Sequence, residues 1–234
     1  MQNSPSSLKA SLSWLGLFAL LSAIAIAPTW AKNLPAFARF AQSNTDFERW
    51  VDGCYQLSGE EGLAACDRAL EVAPEDATLW TNRGTLLGSL GRYEEALNSD
   101  ERALALEPDY SLALYNRCLT FNRLERYEDA LESCEGALAG NGRWGDASGV
   151  LAWDSLGFAL SQLGRYKESL EARDRALELE SRDPITWFNR GVVLEKLQRF
   201  RDAIASYDEA LKLDPDYEAA RNNREILLNE LGEL

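Results

Sequence analysis

The sequence predicts an all-α fold: a right-handed superhelical solenoid of antiparallel helix pairs, closed by a C-terminal capping helix. Three observations carry this prediction. A segment of 34 residues recurs along most of the chain. Each copy holds two apolar stripes of helical period, broken near its middle. No stretch alternates apolar and polar residues convincingly enough to read as a strand. One helix pair cannot bury both of its faces, whereas stacked copies can, and a stack of pairs is a solenoid.

The copies align residue by residue. Residues 77–110 and 184–217 match at Trp80/Trp187, Asn82/Asn189, Arg83/Arg190, Gly84/Gly191, Leu90/Leu197, Ala96/Ala203, Ala103/Ala210, Leu104/Leu211 and Pro108/Pro215. Residues 111–144 follow in register through Leu114, Asn116, Arg117, Cys118, Tyr127, Ala130 and Ala137. Residues 150–183 repeat the pattern at Trp153, Gly157, Leu163, Gly164, Tyr166, Ser169 and Ala176. A worn copy, 43–76, precedes them and ends at Pro74. Within a copy, Leu90-Gly91-Arg92 and Leu163-Gly164-Arg165 mark the turn between helices. Small residues such as Gly84 and Ala96 fall where paired helices come closest, and Ala103 does the same against the next copy. Trp80 and Leu87 fill the wider gaps. Pro108 stops the second helix, because proline cannot continue one and restricts the residue before it. Residues 218–234 then form the cap, with the polar outer residues that a solenoid end requires.

These residues resemble the tetratricopeptide repeat, whose pattern is W-x2-L-G-x2-Y, then A-x3-F, then A and P. The resemblance covers roughly residues 43–217. There are departures: Arg83, Arg117 and Arg190 stand where leucine is usual. Asp100 and Arg173 replace a large apolar residue of the second helix and are expected to pack loosely. The resemblance implies a protein or peptide partner held in a concave groove lined by the first helix of each pair. The inward positions are then Thr78, Thr81, Asn82 and Thr85, followed by Leu112, Tyr115, Asn116, Leu119 and Arg123. Next come Leu151, Asp154, Ser155 and Phe158, and then Ile185, Phe188, Asn189, Val192, Glu195 and Lys196. Among them Arg123 and Lys196 offset Asp154 and Glu195, so the groove is expected to be near neutral. Asn82, Asn116, Asn189 and Asn223 recur at one place, and an amide can both donate to and accept from a peptide main chain. Asn82, Asn116 and Asn189 are therefore candidate grips, with Tyr115, Phe158 and Phe188 supplying apolar contact. The alternative is that these asparagines pack or cap locally.

Two features lie outside the repeat. Five extra residues separate Cys118 from Gly157, in the glycine-rich connection 140–149. Trp144 at its centre either projects as a partner anchor or folds back onto the groove. Similar insertions occur in exported bacterial members of the family, cyanobacterial ones among them, which this chain resembles. The cysteines form two pairs, Cys54 with Cys66 and Cys118 with Cys134, each at equivalent places on facing helices. They are either small buried hydrophobes or, in an oxidising compartment, disulfides.

The N-terminal residues point to that compartment. Lys9 is followed by an apolar run over residues 12–27, then Pro28 and Thr29-Trp30-Ala31, which reads as a signal peptide over residues 1–31. An uncleaved anchor is the second reading. Its 16 residues span about 24 Å as a helix, short of a ~30 Å hydrocarbon core. Residues 32–42 read as a linker and 43–234 as the solenoid. The expected location is periplasm or lumen, and contact with a membrane would come only through the retained segment.

Composition narrows the function. The 234 residues carry 24 Lys plus Arg against 38 Asp plus Glu, a net charge of −14. That balance opposes nucleic acid as a partner, which needs a basic footprint. The absence of histidine removes imidazole catalysis and His-ligated metal. The cysteines are too dispersed for a zinc or redox motif, and no phosphate loop follows a strand. No catalytic residue, metal site or small-molecule cofactor is expected. The expected function is a non-catalytic interaction scaffold, with an assembly factor as one form. The alternative is a structural protein that stacks on its own copies or on a larger complex. Export predicts that N-terminal sequencing of the mature protein starts at or near Lys32. An intact Met1 on soluble cytoplasmic protein would contradict it.

Overall fold

The computed structural model describes residues 36–145 and 147–233, with side chains from residue 44. The expected targeting segment, 1–31, and residues 32–35 of the expected linker lie outside the described residues. The chain divides into two units, Met1–Asp46 and Phe47–Leu234. Helix α1 (Ala36–Gln56) starts inside the stretch expected to be a linker.

In the second unit α1 is followed by α2 (Gly59–Val72), α3 (Ala77–Ser89), α4 (Tyr93–Leu106), α5 (Ser111–Arg123) and α6 (Tyr127–Ala139). Then come α7 (Gly149–Gln162), α8 (Tyr166–Leu179), α9 (Pro184–Lys196), α10 (Phe200–Leu213) and α11 (Glu218–Leu231). No strand occurs among the described residues. From α3 onward each first helix packs on its own second helix, and each second helix packs on the next first helix. The first helices α3, α5 and α7 also touch in sequence. The result is an α-helical solenoid in which each pair rests only on its neighbours.

The turns follow one rule. Gly91, Glu125, Gly164 and Gln198 occupy the same turn position, and all four have positive φ, between 58° and 74°. Two of the four pairs therefore hold a side-chain-bearing residue in the left-handed region that glycine prefers. Helix starts repeat as well. The Asp76 carboxylate accepts hydrogen bonds from the Thr78 and Leu79 N–H groups at 2.8 and 3.1 Å. Asp183 caps α9 in the same way through Ile185 and Thr186, at 3.1 and 3.0 Å. Each cap satisfies amides that the helix itself leaves free.

The core is set by how closely the helices approach. Ala96, Ala103, Ala130, Ala137, Ala176, Ala203 and Ala210 have no accessible surface, and Leu79, Leu87, Leu194 and Tyr207 fill the space between them. Burying each of those large side chains contributes about 1.5–3 kcal/mol. The closest approach repeats at one register. A β-carbon on Gly84 would lie 2.5 Å from the Asp100 carboxylate, and one on Gly191 would overlap the Tyr207 ring. At Gly157 it would lie 3.1 Å from Cγ of Arg173, a flexible side chain. The same register carries the cysteines: Cys118 and Cys134 are bridged at a Cα separation of 5.1 Å, as are Cys54 and Cys66 at 4.6 Å. Both separations suit a disulfide.

Gly191→Ala should destabilise the protein by about 1–3 kcal/mol, because the aromatic ring behind it cannot yield. Gly157→Ala should cost less. Gly88 faces open space within α3, so Gly88→Ala should instead stabilise by about 0.5–1 kcal/mol. Urea unfolding of the three variants measures the order.

Candidate functional site

The exposed residues of the first helices form a single surface. On α7 only Leu151, Phe158 and Gln162 are exposed, and these fall on one stripe two to three turns long. On α9 the exposed residues are Ile185 and Lys196, on α5 Leu119 and Arg123, and on α3 Thr85 and Ser89. Aligned by repeat, and with half-buried Thr78, Leu112 and Val192 completing the rows, they make three columns across successive helices. The first column is Thr78, Leu112, Leu151, Ile185; the second is Thr85, Leu119, Phe158, Val192; the third is Ser89, Arg123, Gln162, Lys196. No exposed residue on α3, α5, α7 or α9 is acidic, although the chain carries 38 carboxylate side chains. The exposed carboxylates crowd the second helices, as with Glu94, Glu95 and Glu101 on α4 and Glu128, Glu132 and Glu135 on α6.

The expected charge balance of this face is corrected by the structure. Arg173, buried on α8, forms an ion pair with Asp154. Glu195 accepts a hydrogen bond from the Tyr207 hydroxyl. Both carboxylates are thus held by the second helix behind them, while Arg123 and Lys196 are exposed and form no ion pair among the described residues. The open face is mildly cationic rather than balanced.

Of the candidate grips, Phe158 lies on the open stripe, 40% exposed. Tyr115 and Asn116 lie inside instead, at 7% and 9%. The Asn116 amide donates to Oγ1 of Thr85 at 2.9 Å and to the Thr81 carbonyl at 3.4 Å, so it joins α5 to α3. Asn223 donates to the Tyr207 hydroxyl at 3.3 Å. The amide nitrogen of Asn82 is buried without a partner, and Asn189 is half-buried. Phe188 packs between Tyr207 and Tyr217, at ring separations of 5.7 and 5.1 Å. Asn116 and Asn223 thus face the preceding repeat, where neighbouring pairs meet. Leu119, Leu151 and Ile185, aliphatic residues passed over as grips, are the ones left open. The signal that finds them is their spacing: Leu151 and Phe158 are seven residues apart on one helix face, and Leu112/Leu119 and Ile185/Val192 repeat that spacing.

Trp144 takes the folded-back course. It packs edge-on against Tyr115 at 6.4 Å. Around it the inserted connection is tied down. Asn141 N–H donates to the Asp109 carbonyl at 2.7 Å, and Leu112 N–H donates to the Arg143 carbonyl at 3.1 Å. The Arg143 guanidinium stacks over Tyr110 at 4.4 Å, pairs with Glu107 and reaches Oγ1 of Thr78 at 3.3 Å.

The arginines that replace leucine bridge repeats on the opposite side. Arg83 binds Asp67 of the preceding repeat and Ser99 of its own, both at 2.7 Å. Arg190 repeats this with Asp174 at 2.7 Å and Ser206 at 2.8 Å. At Arg117 the bridge is missing: its Nε is buried without a partner.

Asp100 and Arg173, expected to pack loosely, are as enclosed as the apolar residues they replace, at 0% and 3% exposure. Gly84 makes room for the first, and Asp154 neutralises the second. Neither Asp100 oxygen has a hydrogen-bond partner. Burial pushes its carboxyl well above the usual range, and Asn116 and Arg117 offset this only in part. A carboxyl held protonated in the fold favours folding at low pH, and that contribution fades as pH climbs from about 4, its ordinary range, toward the raised value. Asp100→Asn should therefore raise the melting temperature at neutral pH and flatten its decline between pH 4 and neutrality. Equal pH profiles for the two proteins would show the carboxyl to be ionised in place. Among the described residues no group of three acidic or cysteine side chains is placed to hold a metal ion, and no helix is long and apolar enough to cross a membrane.

Comparison with known proteins places this geometry. Tetratricopeptide-repeat profiles match residues 81–147, 150–183 and 184–217, and a protein prenyltransferase alpha subunit repeat profile matches residues 60–90. No curated protein sequence matches the chain. Among solved structures it is similar to YrrB, described as a TPR protein with an unusual peptide-binding site. The two are 28% identical with a TM-score of 0.61, covering 72% of this chain and 84% of that one. It is also similar in fold to PilF of Pseudomonas aeruginosa, at 16% identity and TM-score 0.69, covering 84% and 87%. MamA of Desulfovibrio magneticus RS-1 aligns at 19% identity and TM-score 0.65, covering 75% and 97%. Repeated helix pairs, a small residue at each closest approach and three profile matches in register lead to one conclusion: the chain belongs to the tetratricopeptide-repeat family.

Proposed function

We propose that this protein is a non-catalytic interaction scaffold of the cell envelope that holds a segment of a partner protein along the open stripe of its first helices. The observation that carries the reading is the composition of that stripe. It exposes Leu119, Leu151, Phe158 and Ile185 and no carboxylate, in a chain of net charge −14, so a ligand meets apolar side chains without the repulsion of the outer face. Support also comes from YrrB, the 28% identical relative described as having a peptide-binding site. The envelope location rests on the N-terminal sequence and on the two bridged cysteine pairs, which suit an oxidising compartment. An assembly factor needs a surface of this kind.

Stacking of copies through the C-terminal end fits less well. The register that carries Gly84, Cys118, Gly157 and Gly191 carries the exposed Glu225 in α11, a charge that a stacked copy would have to bury. Peptides selected from a displayed random library on the purified chain provide the test. Phe158→Ala with Leu119→Ala should weaken the selected peptides about tenfold or more, as for a buried contact, while Glu171→Ala on the outer face leaves them unchanged. The opposite pattern would move the site to the outer face.

A further inference from the structure

The inserted connection makes the stripe unequal along its length. Over α3 and α5 the first column is occupied: Arg143 binds Thr78 at 3.3 Å, and the Leu112 N–H donates to the Arg143 carbonyl at 3.1 Å. Leu112 and Trp144 pack against one cluster of Tyr115, Ala137 and Ala152, and a β-carbon on Gly145 would lie 3.1 Å from a Leu112 methyl. Over α7 and α9 the same column is open among the described residues, with Leu151 47% and Ile185 55% exposed. The second column continues the apolar surface through Leu119 and Phe158, at 39% and 40%. In the third column the charged residues are Arg123 and Lys196, each in the last turn of its helix, where a cation also complements the helix dipole.

Resting on the proposed groove, we infer that the ligand is an apolar segment with acidic flanks, seated on α5, α7 and α9 and stopped at one end by the 141–145 connection. Its apolar side chains meet Leu119, Leu151, Phe158 and Ile185. Its carboxylates face Arg123 and Lys196, which form no ion pair among the described residues. Charge complementarity selects this occupant. A basic segment would be drawn to the acidic second helices and repelled from the cationic edge of the stripe. Packed helices lie about 10 Å apart, and an extended chain rises ~3.3 Å per residue, so apolar residues at about every third position match successive helices.

Two sets of synthetic peptides of about twelve residues test this, each with leucine at every third position. One set carries glutamate and aspartate between the leucines, the other lysine and arginine. The acidic set should bind the full chain, weaken as salt rises, and lose about fivefold or more when Arg123→Ala and Lys196→Ala are combined. Leu151→Ala should weaken it severalfold, and Thr78→Ala not at all. Thermal unfolding of each variant verifies the fold. Equal or tighter binding of the basic set overturns the inference and leaves the groove intact. So does a loss at Thr78 as large as that at Leu151, which would place the ligand under the inserted connection. Failure of both sets together with an empty library selection overturns the groove itself.

Discussion

The close approach of the two helices in each pair is the contact on which the rest depends. At one register the first helix carries glycine or a bridged cysteine, and the second helix presses a side chain into the gap: Asp100 on Gly84, Arg173 on Gly157, Tyr207 on Gly191, Cys134 on Cys118. Because that side chain is swallowed, the first helix is covered on its paired flank and by its neighbours. One narrow stripe is left to solvent. The second helices keep a broad outer face, and the carboxylates collect there. The separation of an acidic outside from a carboxylate-free stripe is thus a consequence of packing as well as of composition.

The same register explains why polar residues sit so deep. Arg173 is tolerated because Asp154 reaches it from the first helix, and the Tyr207 hydroxyl because Glu195 and Asn223 satisfy it. Each of these contacts withdraws a charge or an amide from the face a ligand would see. Asp100 has no such partner, and its enclosure favours the neutral acid.

Much of this was legible in the sequence. The 34-residue period, the turn residues and the small residues Gly84, Ala96 and Ala103 each encode a local requirement, and local requirements survive in a single chain. The equivalence of the cysteine pairs was legible for the same reason. The face of the site was read less well. Tyr115 and Asn116 share a helix side with Leu119, but α3 consumes Asn116 and the cluster of Ala137, Ala152 and Trp144 encloses Tyr115. Those contacts depend on how neighbouring pairs lean together, which a one-dimensional pattern does not carry. The charge balance was misjudged for a related reason. Arg173 lies on the second helix, out of sight of any count confined to the first. Trp144 was open between two readings because the anchoring of its connection depends on Asp109, Glu107 and Tyr110, far back in the chain.

The central claim is that a ligand meets the open stripe of the first helices and not the apolar ends of the second ones. Leu106, Leu179 and Leu213 are as exposed as the stripe residues, at 40%, 62% and 39%, and close the second helices α4, α8 and α10. Methyl-resolved NMR of leucine- and isoleucine-labelled protein, titrated with a bound peptide, separates the two surfaces in one spectrum. The methyls of Leu119, Leu151 and Ile185 should shift or broaden while those of Leu106, Leu179 and Leu213 stay in place. Shifts confined to the latter three would contradict the claim.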